Sequence, residues 1–103
     1  MLVNGRLTVE NYFAERVGHV GVAAARKQFD AWLAEAMVAE WKTPTEVKRQ
    51  YASASVIGGN RLVFNISGNR FRLVVAVNYQ FGVVDIRFIG THAEYDDIDV
   101  EKI

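Results

Sequence analysis

The fold is decided by residues 60–78, NRLVFNISGNRFRLVVAVN, in which apolar and polar residues alternate on both sides of a turn. A period of two is typical of strands with one buried face, and Ser67-Gly68-Asn69 is a good hairpin signal. The alternation continues in a third run after Gln80-Phe81-Gly82. The sequence therefore predicts a three-stranded antiparallel meander.

The alternation also assigns each strand residue to one face of that sheet. The side that we predict to face the core carries Leu62, Phe64, Ile66, Phe71, Leu73, Val75, Val77, Val84, Ile86 and Phe88. The opposite side carries Arg61, Val63, Asn65, Arg70, Arg72, Val74, Ala76, Asn78, Val83, Asp85, Arg87 and Ile89. Antiparallel sheets commonly leave one face in water, so the second side is the expected solvent face.

The N-terminal half follows a helical period instead. A first helix over residues 8–17 is predicted to begin at Thr8 as its cap, with Glu10 in the first turn and Leu7 packed against Tyr12. Gly18 and Gly21 end it. A longer helix is predicted through about residue 41, because one face collects Phe29, Trp32, Leu33, Ala36, Met37 and Trp41.

The clearest helix start in the sequence is Thr43-Pro44-Thr45-Glu46. Thr43 suits the cap, proline suits the first helical position, and Glu46 can complete a capping box. A short helix over residues 44–51 follows, and the Ser- and Gly-rich residues 53–59 predict a loop. The expected fold class is α+β, with the N-terminal helices packed on one face of the C-terminal antiparallel sheet, in one domain over residues 1–103.

Composition limits the classes of function. Half of the residues are hydrophobic, enough for a core, and there is no cysteine for a disulfide, a thiolate metal site or a nucleophile. No run has the length of a signal peptide or a membrane span, so we expect a cytoplasmic protein. No metal-ligand spacing and no phosphate-binding glycine loop is present, so neither a metal nor a cofactor is expected.

Net charge is zero, but the charges are unevenly distributed. Residues 41–90 carry seven basic and two acidic residues, whereas residues 91–103 carry one basic and five acidic residues. Local clustering of charge matters more for phosphate binding than the total. The arginines on the predicted solvent face either are ordinary surface residues or form a phosphate-binding face, since guanidinium groups bind phosphate through two parallel bonds.

The third strand is followed by Gly90-Thr91-His92-Ala93-Glu94-Tyr95-Asp96. His92 is one of two histidines; the other, His19, lies between two predicted helices and is expected to be structural or solvated. In a helical turn, His92 and Tyr95 share one side. With Arg87 on the preceding strand, they form a set that supports acid–base cleavage of a phosphodiester without a metal.

Two stretches resemble a known family: NRLVFNISGNRFRLVV (60–75) and IRFIGTHAEYDDID (86–99), with WKTP (41–44) upstream. They are similar to HigB-type toxins of type II toxin–antitoxin systems, within the RelE-like group of mRNA interferases. The resemblance covers about residues 28–103. It implies a ribosome-dependent endoribonuclease that cleaves translated mRNA, in which the ribose 2′-hydroxyl attacks the adjacent phosphate and no cofactor takes part.

The resemblance also implies roles for individual residues. Arg72 and Arg87 are expected to stabilise charge on the scissile phosphate, His92 to act as general acid or base, and Tyr95 to stack on a base or assist proton transfer. Flanking phosphates of the message or of ribosomal RNA are assigned to a separate basic set: Lys48, Arg49, Arg61 and Arg70.

Similar toxins are neutralised by an antitoxin encoded beside them, usually a helix-turn-helix DNA-binding protein. We therefore expect two partners, the mRNA on the ribosome and an antitoxin, and no membrane. Two alternatives remain open from the sequence. One is a noncatalytic RNA- or ribosome-binding module that uses the same basic sheet face. The other is an interaction protein whose sheet face meets only a protein partner.

Overall fold

The computed structural model describes all 103 residues as four helices and one five-stranded sheet. In chain order the elements are β1 (Leu2–Asn4), α1 (Arg6–Ala14), α2 (Val22–Val38), α3 (Pro44–Gln50), β2 (Ser55–Ile57), β3 (Arg61–Ile66), β4 (Phe71–Asn78), β5 (Val83–Thr91) and α4 (His92–Asp96). The sheet order is β1-β5-β4-β3-β2, with β1 parallel to β5 and all other neighbours antiparallel. The expected α+β class is confirmed.

The predicted meander forms the centre of this sheet. Phe64 pairs with Leu73 across β3 and β4, and Leu73 pairs with Ile89 across β4 and β5. The sequence missed the two short outer strands: β1 was not predicted, and β2 lies in the segment that was predicted to be a loop. Each has only three residues, which is too short for a periodic signal.

The hydrophobic core lies between the helices and one face of the sheet. It is a cluster of 21 buried residues to which α1, α2, α3 and strands β3, β4 and β5 contribute. Aromatic rings fill its centre, with Trp32 packed edge-on against Phe64 and Phe13 edge-on against Phe71. The predicted core face is thus confirmed along β3 and β4.

The prediction for the start of α1 is wrong. The helix begins at Arg6, its cap is Gly5 in a left-handed conformation (φ 89°), and Thr8 donates its backbone N–H to the Gly5 carbonyl. Gly5 is required here because a Cβ would stand 2.8 Å from the Ile86 carbonyl oxygen. Leu7 is exposed and makes no staple.

The predictions for α2 and α3 have different outcomes. α2 ends at Val38 rather than near residue 41, because Ala39 turns to an extended conformation. Trp41, which follows the end of α2, is nevertheless buried in the core, whereas Met37 within the helix is exposed. The start of α3 is confirmed, because the Thr43 hydroxyl oxygen accepts from the Glu46 backbone N–H at 3.3 Å. The Glu46 carboxylate accepts from the Lys42 backbone N–H and the Thr43 hydroxyl rather than from the Thr43 backbone N–H, so the predicted capping box is not completed.

Candidate functional site

One end of the sheet brings the β3–β4 hairpin next to the start of α4. Phe71 pairs with Thr91 and Arg72 with Gly90, and the His92 backbone N–H donates to the Arg70 carbonyl at 3.3 Å. Four of the predicted site residues therefore lie at this end: Arg70, Arg72, His92 and Tyr95. We call it the hairpin end.

The local sequence holds α4 in place through a complete capping box. The Thr91 hydroxyl accepts from the Glu94 backbone N–H at 3.2 Å, and a Glu94 carboxylate oxygen accepts from the Thr91 backbone N–H at 2.9 Å. Such a box satisfies two helix-end donors at once. It fixes the turn that presents His92 and Tyr95, and its Thr-x-x-Glu spacing was readable in the sequence.

The same glutamate ties α4 to α1. The Tyr12 hydroxyl donates to Glu94 Oε1 at 2.6 Å, and the Arg16 guanidinium lies 3.5 Å from Glu94 Oε2 and 3.7 Å above the Tyr12 ring. The backbone bond from Thr91, followed by the bond from Tyr12, lowers the pKa of Glu94 below its usual value. Burial and this carboxylate raise the pKa of Tyr12 to about 12. The sequence did not predict that Tyr12 and Arg16 hold Glu94 in place, because only the fold brings them to residue 94.

His92 is exposed and has an oriented ring. Its Nδ1 lies 3.1 Å from Asp96 Oδ2, one helical turn on, and 54 % of its side chain is accessible to solvent. Because Nδ1 faces the carboxylate, Nε2 is the nitrogen left for a ligand. Asp96 is a further residue that the sequence did not single out, and it would hold the neutral ring in the tautomer that carries its proton on Nδ1.

Arg72 pairs with Gly90, close to the start of α4, and its side chain lies near the Tyr95 ring. The guanidinium carbon is 5.9 Å from the centre of the Tyr95 ring, within the range of a cation–π contact, and Nη1 donates to the Asn69 carbonyl at 3.3 Å. These contacts hold the planar guanidinium at the hairpin end with further N–H groups free. The arrangement offers charge, a titratable ring and a phenol at one exposed place.

The structure does not bring Arg87 to this group. Val74 pairs with Phe88 but Val75 pairs with Ile86, so Arg87 is the extra residue of a β-bulge. It lines two surface hollows, one beside α1 with Asn11 and Arg16, the other beside β1. Neither hollow includes Arg72, His92 or Tyr95.

The bulge also corrects the predicted faces of β5. Beyond it the alternation shifts by one residue, so Ile89 is in the core and Phe88 lies on the opposite face, half-buried. The tip of the Phe88 ring lies against Gly90, where a Cβ would stand 2.5 Å from the ring. The sequence did not reveal the shift because Ile86, Phe88 and Ile89 are all large and apolar.

The basic residues assigned to flanking phosphates have different surroundings. The Arg61 guanidinium donates to the carbonyls of Gly59 and Ile103, and Lys48 Nζ donates to the carbonyls of Ala52 and Ala54. Both are therefore engaged within the chain. Arg49 is exposed, and the exposed Arg70 side chain lies against Gly21, near the hairpin end.

The face expected to be open to solvent is covered in its middle. Val63, Val74 and Ala76 are buried although they point away from the core cluster. The C-terminal segment, residues 97–103, contacts one end of this face: the Arg61 guanidinium donates to the Ile103 carbonyl, and the Glu101 side chain lies against Gly58. The prediction of a solvent face is thus wrong for the centre of the sheet, and the accessible site is confined to the hairpin end.

Two further features bear on the kind of site. No group of three or more His, Cys, Asp or Glu side chains is placed to hold a metal ion. None of the helices is both long and apolar enough to span a membrane.

Helices on one face of a mostly antiparallel sheet form an α+β fold, which is consistent with the RelE-like toxins. Comparison with family models agrees: the model described as HigB_toxin, RelE-like toxic component of a toxin-antitoxin system, matches residues 25–98. The chain therefore belongs to the HigB toxin family, and an antitoxin is its implied partner. No curated protein matches the chain.

Proposed function

We propose that this toxin is an endoribonuclease that cuts mRNA during translation, at the hairpin end of its sheet. The observation that carries the proposal is the pairing of His92 with Asp96 beside Arg72 and Tyr95. An imidazole with one nitrogen held by a carboxylate and the other exposed is suited to proton transfer through the exposed nitrogen.

The chemistry uses a nucleophile that the substrate brings. The ribose 2′-hydroxyl attacks the adjacent phosphorus and loses its proton, a bond forms from O2′ to phosphorus, and the bond to the 5′-oxygen breaks as that oxygen gains a proton. His92 Nε2 carries out one of the two proton transfers, and Tyr95 is placed to assist. Arg72 stabilises the negative charge that develops on the phosphate oxygens.

The remaining basic residues bind the strand on either side of the cut. Arg70 lies at the hairpin end itself, and Arg87, beside α1, is better placed for a flanking phosphate than for the scissile one. The exposed Arg49 on α3 extends the set to the ribosome-bound strand. Lys48 and Arg61 join it through the N–H groups that they do not donate to backbone carbonyls. Translation places the protein in the cytoplasm, and we expect the antitoxin to be a helix-turn-helix DNA-binding protein.

The test is induced expression in a bacterium, with growth followed and the 5′ ends of cellular mRNA mapped. We expect arrest of growth and new cuts within translated reading frames. His92→Ala and Arg72→Ala should abolish both, whereas His19→Ala, which changes the other exposed histidine, should keep both. Arrest without new ends, unchanged by His92→Ala, would instead identify a noncatalytic RNA- or ribosome-binding module.

A further inference from the structure

The sheet leaves half of one strand without a neighbour. β2 pairs only with Arg61–Val63 of β3, so Phe64–Ile66 forms a free edge on that side. Unpaired strand edges present backbone donors and acceptors to whatever lies beside them. The free edge lies next to α2, and a hollow of about 180 Å³ opens between the two.

The backbone groups that this edge presents follow from the pairing on its other side. The Asn60 carbonyl accepts from the Val77 N–H at 2.9 Å, so alternate residues from Asn60 turn their backbone groups towards β4. Residues 61, 63 and 65 turn theirs away from it. Arg61 and Val63 are met by β2, which leaves the N–H and the carbonyl of Asn65 without a strand partner.

An added peptide strand is a poor match for this edge. The next outward N–H belongs to Ser67, and it already donates to the Gln28 side-chain oxygen from α2. Only one residue therefore offers a free donor and acceptor, and the two lie side by side. A planar group with an adjacent donor and acceptor on its own edge, such as a nucleobase, suits that pair.

The walls of the hollow favour the same class of ligand. Trp32, Tyr51 and Phe64 line it with aromatic surface, and Tyr51 is only half-buried, so its ring is accessible for stacking. Aromatic side chains bind bases in this way whatever the sequence. The volume is below the roughly 300–1,000 Å³ of sites for larger ligands, which fits a single ring system.

Charge excludes the phosphate itself from the hollow. No lysine or arginine lines it, and Glu35 contributes a carboxylate. The Tyr51 hydroxyl donates to Glu35 Oε1 at 2.6 Å, which leaves the second oxygen for a base amino group. Burial, followed by this bond, raises the pKa of Tyr51 well above its usual 10, so the hydroxyl keeps its proton.

We propose that this edge hollow, formed by Asn65, Glu35 and the rings of Trp32 and Tyr51, binds one unpaired base of the RNA outside the scissile step. The inference rests on the proposed function, which makes the ligand an RNA strand. Asn65 is paired with Arg72 on the neighbouring strand, so a strand bound at Arg72 passes beside the hollow. A base held there would bias which positions of a message are cut.

Two indole groups make the proposal directly measurable. Trp32 lines the hollow and its buried indole N–H has no hydrogen-bond partner, whereas the Trp41 indole N–H donates to Gln50 at 3.0 Å. In ¹⁵N-labelled protein, adenosine, guanosine and cytidine should cause saturable shifts at the Trp32 indole and the Asn65 amide, with Trp41 little changed. Ribose 5-phosphate should act at Arg72 and not at Asn65.

A matched pair of variants on α2 supplies the control. Ala31 lines the hollow and Ala34 does not, and both are exposed. Ala31→Phe should fill the hollow and weaken nucleoside binding about tenfold or more, the loss expected when one stacked ring is excluded. Ala34→Phe should bind like the wild type. If Ala31→Phe does not fold, Ser53→Phe fills the hollow from the opposite wall and should have the same effect.

The outcome separates this inference from the proposed function. In cells, Ala31→Phe should keep cutting mRNA but change the preferred positions. Cuts by the wild type, combined with nucleosides that leave Asn65 and Trp32 unmoved, would overturn the base site alone. Nucleoside binding at Asn65 in a protein that makes no cuts would overturn the nuclease. Shifts produced only by a partner peptide would also overturn the base site.

Discussion

The two faces of the sheet are both buried at their centres, but they are covered in different ways. The helices pack large side chains such as Phe64 and Leu73 into an aromatic core. The other face carries smaller buried residues, Val63, Val74 and Ala76, and the C-terminal segment contacts this face at Arg61. The helices stabilise the fold through this core, whereas the C-terminal segment continues from α4, which carries His92. The site and the C-terminal segment are therefore parts of one short stretch of chain.

The largest effect should come from the helix-covered face. Phe64 contacts the rings of Trp32, Trp41 and Tyr51, so Phe64→Ala removes a ring from the centre of the core. We expect a loss of about 3–5 kcal/mol in the free energy of unfolding, and about 2–5 kcal/mol for Leu73→Ala. Urea denaturation measures both. A change near zero for either would mean that the faces of β3 and β4 are assigned the wrong way round.

Val74 provides the corresponding test of the other face. It is fully buried on the face that the C-terminal segment contacts at Arg61, so Val74→Ala should cost about 2 kcal/mol, near the value of burying a valine side chain. Val56→Ala, at an exposed position of β2, is the control and should be nearly neutral. If the two variants unfold at the same urea concentration, Val74 is not buried on this face in solution.

The faces of β3 and β4 were predictable because the larger apolar residues fall at alternate positions, while the arginines and asparagines fall only between them. The prediction failed in β5, where Arg87 forms a bulge. Large apolar residues flank it, with Ile86 before it and Phe88 and Ile89 after it. Periodicity cannot locate one extra residue in a run that is apolar on both faces. Because of this error, Phe88 was assigned to the core and Arg87 to the face that carries Arg72.

The candidate site was predictable in part for a similar reason. Arg72, His92 and Tyr95 were found from residue type and local spacing, and adjacent strands bring them together. The support from Tyr12 and Arg16 depends on contacts across some eighty positions of sequence, which no local pattern carries. The contact of the C-terminal segment with the sheet was missed because this acidic segment resembles a solvated tail, while its half-buried Ile98 and Val100 lie between the charges.

The capping box at the start of α4 lies between the sheet and the C-terminal segment. Breaking it should have an intermediate effect on the free energy of unfolding. Thr91→Ala removes the hydroxyl that caps Glu94 N–H, at an expected cost of about 1 kcal/mol. mRNA cutting should fall as well, because the helix presenting His92 loses its fixed start. Thr91→Ser keeps the hydroxyl and should restore both. Full cutting by Thr91→Ala would show that the cap does not position His92.

The smallest expected effect concerns pH and the bond that joins α1 to α4. The pKa of Glu94 is lowered in the folded protein, so this carboxylate contributes stability above its usual 4.5, and the contribution is lost as pH falls through the lowered value. Glu94 is partly exposed, so we expect the contribution to be below about 1 kcal/mol. Glu94→Gln removes the titration but leaves an amide oxygen for Tyr12. The stability difference between wild type and variant should therefore shrink as the pH is lowered from 7 to about 3. A stability difference that stays constant over this pH range would mean that the Tyr12–Glu94 hydrogen bond does not depend on the charge of the carboxylate. In that case, packing alone would hold α4 against α1.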